Sequence, residues 1–194
     1  LHWHAYRLRP ATPLLSAAVV AVLTFAGLAE KMSVTLAVEG AGTFDILLDS
    51  TLTPNASAAL LAVAGRSGAG RVHRAEPLPP SGSMGPPYAL VQFSLEDKAL
   101  ASVPHEGSAK IARGSVCLIG STSDIFISLA KNGEHDGWEG SMTVLGRVPE
   151  PALTDIVEGR ILALPKHNFV HPDYGTHMSM LNTELPCRLS VSKA

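Results

Sequence analysis

Apolar and polar residues alternate with a period of two along much of this chain, and each run ends in turn-forming residues. Val34 to Val38 alternates and is rich in β-branched residues. Glu39-Gly40-Ala41-Gly42 then reads as a turn and Thr43 to Leu48 as a returning strand, which predicts a hairpin. Further strands are expected around residues 72–74, 88–93, 116–120, 125–129, 142–148 and 187–191. Two stretches carry helical signals instead. Thr53 is suited to an N-cap and Pro54 to the first helical position, so a helix is expected to run through Ala58, Leu60, Leu61 and Ala64 and to end near Gly65. Pro151 to Val157 reads as a second helix, with Leu153, Ile156 and Val157 on one face. The run from Pro77 to Pro87 holds five prolines and is expected to be a loop. Residues 95–110 read as a surface insertion, and residues 164–184 as a long connection without a pattern. Many short strands and two helices suggest a closed antiparallel barrel in which the last strand pairs with the first, so that no edge stays open, although the pattern alone leaves a β-rich barrel or sandwich.

A different pattern precedes the barrel. From Pro10 to Ala29 there are 20 residues without a charge, apolar on every face. At ~1.5 Å per residue such a helix matches a bilayer core of ~30 Å. Arg7 and Arg9 precede the run, while Glu30 and Lys31 cancel after it, which puts the amino end in the cytosol. The first reading is a signal-anchor: residues 1–31 form a cytosolic stub and transmembrane helix, and residues 32–194 a lumenal domain. The chain would then be a single-pass type II membrane protein of the secretory pathway, in the ER or Golgi. A cleaved signal peptide, with Gly27-Leu28-Ala29 as the cleavage site, and a buried core helix stay open beside it. The sequon Asn55-Ala56-Ser57 makes Asn55 a glycosylation candidate and agrees with a lumenal domain. The chain begins at Leu1 rather than Met, which reads as a fragment or a trimmed chain.

Composition removes some classes of function. The net charge of -2 supplies no basic field for nucleic acid. No Gly-rich phosphate loop follows a strand and opens a helix, and Gly-x-Ser-x-Gly is absent. The two cysteines, Cys117 and Cys187, show no metal spacing; they are either buried free thiols or a pair in an oxidising compartment. His167, His171, Asp173 and His177 include a His-x3-His spacing, but Pro172 and Gly175 break any helix that would present it, so a solvated loop is expected. Glu134, His135 and Asp136 read as a polar surface turn. No metal and no cofactor is expected.

Four short segments carry a resemblance. Gly42 to Leu48 followed by Thr53-Pro54-Asn55-Ala56, Val72-His73-Arg74 with Pro77, Ser123-Asp124-Ile125-Phe126-Ile127, and Trp138 through Val144-Leu145-Gly146-Arg147-Val148 occur in the order of similar segments in the cyclophilin-type peptidyl-prolyl cis-trans isomerases. The resemblance spans roughly residues 33 to 192 and implies an eight-stranded barrel capped by two helices. It also implies a site for proline-containing peptide or protein segments. Arg74 matches the catalytic arginine, Phe126 the floor of the proline pocket, and Trp138 its edge. Pro79 and Pro80 fall where the family has Phe-Met, and Gly82 or a neighbour where it has the glutamine that orders the arginine. Asp124 replaces a second glutamine that binds substrate, and Met142 a histidine of the pocket wall. Ile119-Gly120-Ser121 is a shortened form of the stretch that offers backbone hydrogen bonds to the peptide. On this reading Asp124 is expected to pair with Arg74, and isomerase activity is expected to be weak or lost. The alternative is an inactive proline-peptide-binding or structural module tethered to a membrane.

Overall fold

The computed structural model describes residues 32–81 and 83–192. The expectations for residues 10–29 and for Gly82 lie outside them. Among the described residues no helix is long and apolar enough to cross a membrane.

Among the described residues, nine strands form one antiparallel sheet. They are β1 (Ser33–Val38), β2 (Gly42–Leu48), β3 (Ala69–Glu76), β4 (Leu90–Leu95), β5 (Ser115–Ile119), β6 (Asp124–Ser128), β7 (Met142–Arg147), β8 (Lys166–Val170) and β9 (His177–Val191). Their order is β1-β2-β7-β5-β6-β4-β3-β9-β8, and β1 also pairs with β9 from Val34↔Val191 to Val38↔Cys187. Eight strands therefore close a barrel as expected, and β8 is a ninth that pairs with β9 alone. β2 and β7 share only the pairs Leu47↔Arg147 and Leu48↔Gly146. At that short seam a Cβ on Gly146 would collide with the carbonyl of Leu47, so the backbones could not approach.

Alternation explains the interior. Leu36, Ile46, Val91, Phe93, Ile125, Ile127 and Leu145 all point inward and are buried in one cluster. Helix α1 (Pro54–Gly65) adds Ala56, Leu60 and Val63 to the same core. Helix α2 begins at Glu150–Ala152 and continues in π form through Leu153–Ile161. Its i→i+5 geometry continues in the bond from Leu162 N to Val157 O (2.9 Å). Leu153, Val157 and Ile161 are buried there, with Ile156 packed alongside. The second helix therefore extends beyond the expected end at Val157.

Two expectations are corrected. Thr53 precedes α1 but makes no cap bond; its hydroxyl donates to the carbonyls of Asp49 and Val144. Glu106, from the 95–110 insertion, caps the helix instead. It accepts from Asn55 N (3.2 Å), Asn55 Nδ2 (2.6 Å) and Ala56 N (2.7 Å), which neutralises the free amides of the first turn. Asn55 is thus exposed but engaged, and Ser57 of its sequon is buried. The second correction concerns residues 164–184, which are β8, a turn and the first part of β9. Only the turn between them is a connection.

Candidate functional site

A one-residue irregularity decides where Arg74 points. Val72 faces the core, and strict alternation would send Arg74 inward as well. The register of β3 shifts between Val72 and Arg74 against both neighbours, and against β4, where Val72 faces Phe93 and Arg74 faces Gln92, His73 is the extra residue. This bulge reverses the parity, so Ala75 faces the core while Arg74 and Glu76 lie on the outer face. There Arg74 is paired with Gln92, and Gln92 with Phe126. Three strands thus set these residues in one row.

Buried neighbours hold the arginine. Its Nε donates to Glu76 Oε1 at 2.6 Å and its Nη1 to Gln92 Oε1 at 3.1 Å. Glu76 is fully buried and also accepts from Tyr88 N (2.6 Å) and Ser179 N (3.1 Å), so the carboxylate has the partners that a buried charge requires. Nη2 has no hydrogen-bond partner among the described residues. No sealed side-chain nitrogen or oxygen there lacks a partner, so Nη2 reaches solvent. The Arg74 guanidinium carbon also lies 5.5 Å from the centre of the Tyr88 ring.

Phe126, Leu90, Ile111 and Cys117 form a second apolar cluster, with Tyr88, Ile119, Trp138, Met142 and Val144 packed on it. Unlike the interior core, it lies on the outer face beside Arg74. The Phe126 ring is sealed: it is 0% exposed, with Trp138 at 5.9 Å and His135 at 5.5 Å, both edge-on. Burial of such a ring stabilises the fold by about 1.5–3 kcal/mol. Tyr88, Trp138 and Met142 are half-buried.

His135 was expected on a surface turn but is fully buried. It stacks on Trp138 at 4.5 Å. Its Nε2 faces the Tyr88 carbonyl at 2.6 Å, which can only accept, so Nε2 carries the proton. Nδ1 then accepts from Ser128 Oγ (3.0 Å), which itself accepts from Ala130 N. Burial lowers the His135 pKa and keeps the ring neutral. Glu134 caps the adjacent turn through Lys131 N and Asn132 N.

The residues singled out by sequence therefore divide. Arg74, Phe126, Trp138 and Met142 come together on one outer face. Asp124 does not pair with Arg74. It sits one row away, where the Ser94 hydroxyl bonds it and His73 approaches that same hydroxyl at 3.4 Å. The reason is register: Asp124 lies opposite Ser94, whereas Gln92 lies opposite both Arg74 and Phe126. Pro79 lies in the proline loop, lining a cavity of about 370 Å³ with Leu78, Met84, Asn132 and Glu134. His167 and His177 stand on β8 and β9 rather than in a loop. Cys117 and Cys187 are both buried free thiols, their pKa raised by burial, to about 12 for Cys187. Glu76, Gln92, Tyr88 and His135 are the site residues that the sequence reading missed. The one available signal was the parity break at Val72-His73-Arg74-Ala75.

The fold and its outer-face patch define a closed antiparallel barrel carrying a preorganised arginine beside aromatic side chains. No protein-family model matches the sequence, and no curated protein does. Among solved structures, the hypothetical protein AF2241 from Archaeoglobus fulgidus is similar over 85% of this chain and 100% of its own, with 11% identity and a TM-score of 0.49. Nothing about the activity of this chain follows from that likeness.

Proposed function

We propose that this chain is a cyclophilin-like peptidyl-prolyl cis-trans isomerase that takes proline-containing peptide segments on the outer face of β3, β4 and β6. The observation that carries the reading is the common row of Arg74, Gln92 and Phe126 with Trp138 above it, assembled from segments far apart in sequence. Rotation about an X-Pro bond faces a barrier of ~18–20 kcal/mol and needs no covalent step. It is accelerated by binding the twisted amide better than either planar form. As conjugation breaks, the prolyl nitrogen gains a lone pair, and an outward guanidinium N–H can donate to it. Arg74 Nη2 is the donor left for that role, while Glu76 and Gln92 hold the rest of the group in the place of the glutamine found in the family.

A second reading is docking without turnover. It is favoured by the buried Glu76 carboxylate, which offsets the field of the guanidinium, and by the sealing of Phe126, which leaves a shallow surface. One assay separates the two. The full chain, in mild detergent, is expected to accelerate isomerisation of the tetrapeptide Ala-Ala-Pro-Phe. Arg74→Lys keeps the charge but not the donor geometry and is expected to lower the rate by roughly 100-fold. No acceleration by the parent sinks the isomerase, and saturable binding without acceleration establishes docking.

The location is part of the proposal. The apolar run of residues 10–29 supports a signal-anchor that holds the barrel on the lumenal side of an ER or Golgi membrane. Expressed with microsomes, the chain should resist alkaline extraction and be shielded from added protease. Release by alkali as a full-length chain would remove the anchor.

A further inference from the structure

The sealed Phe126 leaves a proposed proline site without its expected aromatic floor, and the structure offers a replacement. We infer that Tyr88 is the aromatic surface that meets the proline ring, and that Glu76 and His135 are the residues that position it; this rests on the isomerase or docking reading above. Both backbone groups of Tyr88 are held by buried side chains. Its N–H donates to Glu76 Oε2 at 2.6 Å, and its carbonyl accepts from His135 Nε2 at 2.6 Å. The two clamps belong to different segments, Glu76 ending β3 and His135 preceding Trp138, and both are fully buried. The next residue, Ala89, is buried in a left-handed conformation with φ of 52°, which a non-glycine residue adopts only when its surroundings impose it. Ala89 N is bonded to Pro77 O, closing the proline loop behind the tyrosine.

This scaffolding sets the half-buried Tyr88 ring beneath the guanidinium carbon of Arg74, at 5.5 Å, with the Trp138 ring tilted against it at 6.0 Å. A proline ring packed on the part of Tyr88 that the guanidinium leaves uncovered has its amide within reach of Arg74. An arginine held by Glu76 and a tyrosine held by the same carboxylate share one support, so cation and aromatic surface keep a fixed relation. Phe126 is then the packing beneath the surface.

The test uses the full chain labelled for NMR and two probes, Ala-Ala-Pro-Phe and its proline-free analogue Ala-Ala-Ala-Phe. The parent is expected to bind the first in preference to the second, with contacts from the proline ring protons to the ring of Tyr88. Tyr88→Ala should weaken binding about tenfold, and Tyr88→Phe should stay near the parent, since the ring face carries the contact. His135→Gln should weaken binding while leaving the amide signals of the interior core in place, a readout that general loss of fold would not give. Contacts to Phe126 with none to Tyr88, or unaltered binding by Tyr88→Ala, overturn the inference and leave the proposed function standing. A parent that does not distinguish the two probes overturns both.

Discussion

Arg74 and Arg113 are both hydrogen-bonded to glutamates, and they are left with different capacities. Arg113 is clamped between Glu150 and Glu158 of the second helix. Its Nε and Nη2 reach Glu150 Oε1 at 3.0 and 2.8 Å, and its Nη1 and Nη2 reach Glu158 at 2.7 and 2.8 Å. All three of its nitrogens are engaged, and the two carboxylates, Glu158 foremost, hold it more firmly protonated than usual. Arg74 is more deeply buried yet engages one carboxylate and one amide, leaving Nη2 at the surface. The number of nitrogens engaged by carboxylates, rather than burial, separates the two. Arg113 fastens a helix to the loop before β5, whereas Arg74 is fastened and still has a donor to offer.

The sharpest way to break that comparison is to remove each guanidinium in turn. Arg74→Ala leaves the Glu76 carboxylate buried without its cation, and the expected cost is about 3–5 kcal/mol in urea unfolding. A loss under about 1 kcal/mol would mean that the amides of Tyr88 and Ser179 hold the carboxylate unaided. Arg113→Ala frees Glu150, whose side chain is 63% exposed, and Glu158, whose charge water can reach. The expected cost is about 1 kcal/mol or less, with isomerisation and binding unaltered.

Acidity separates the two regions more gently. The folded pKa of His135 and of His73 lies below the ordinary 6.5, in both cases because burial disfavours the cation. Between that value and the folded one, the unfolded chain binds more protons. Stability from these histidines is therefore complete above about 6.5 and falls as the pH drops through and below it. Glu150 and Glu158 are lowered from 4.5 by their bonds to Arg113, so that clamp weakens only below about 4.5. Urea midpoints at pH 7.5, 5.5 and 3.5 should show a first decline that His135→Gln diminishes and a second that Arg113→Ala diminishes. A flat profile between 7.5 and 5.5 would contradict the neutral burial of the histidines.

The barrel was legible because its strands have one face in the core. Val34, Leu36 and Val38 alternate with Ser33, Thr35 and Ala37 since only the first three are enclosed, and the same constraint marks β2. β8 was missed for the converse reason. Four of its five residues are exposed, so neither face imposes an apolar period, and Lys-His-Asn-Phe-Val reads as a loop. The Thr53 cap failed because the better acceptor, Glu106, arrives from 50 residues away, a distance no local rule reaches. The site shows the same division. Arg74, Phe126, Trp138 and Met142 could be found from segment order, but their supports could not. Glu76 owes its role to Tyr88, 12 residues on, and to Ser179, 103 residues on. His135 looked like part of a charged turn because its burial is made by Trp138, Phe126 and Tyr88, which come together only after folding.

The extra residue in β3 has a genetic consequence. Loss of the His73 codon alone would make Val72 and Arg74 neighbours opposite the adjacent Phe93 and Gln92, so strict alternation would return with Val72 inward and the arginine still outward. An in-frame deletion at His73 should therefore spare this face, and its urea midpoint is expected to lie above that of Arg74→Ala, which strands the buried Glu76.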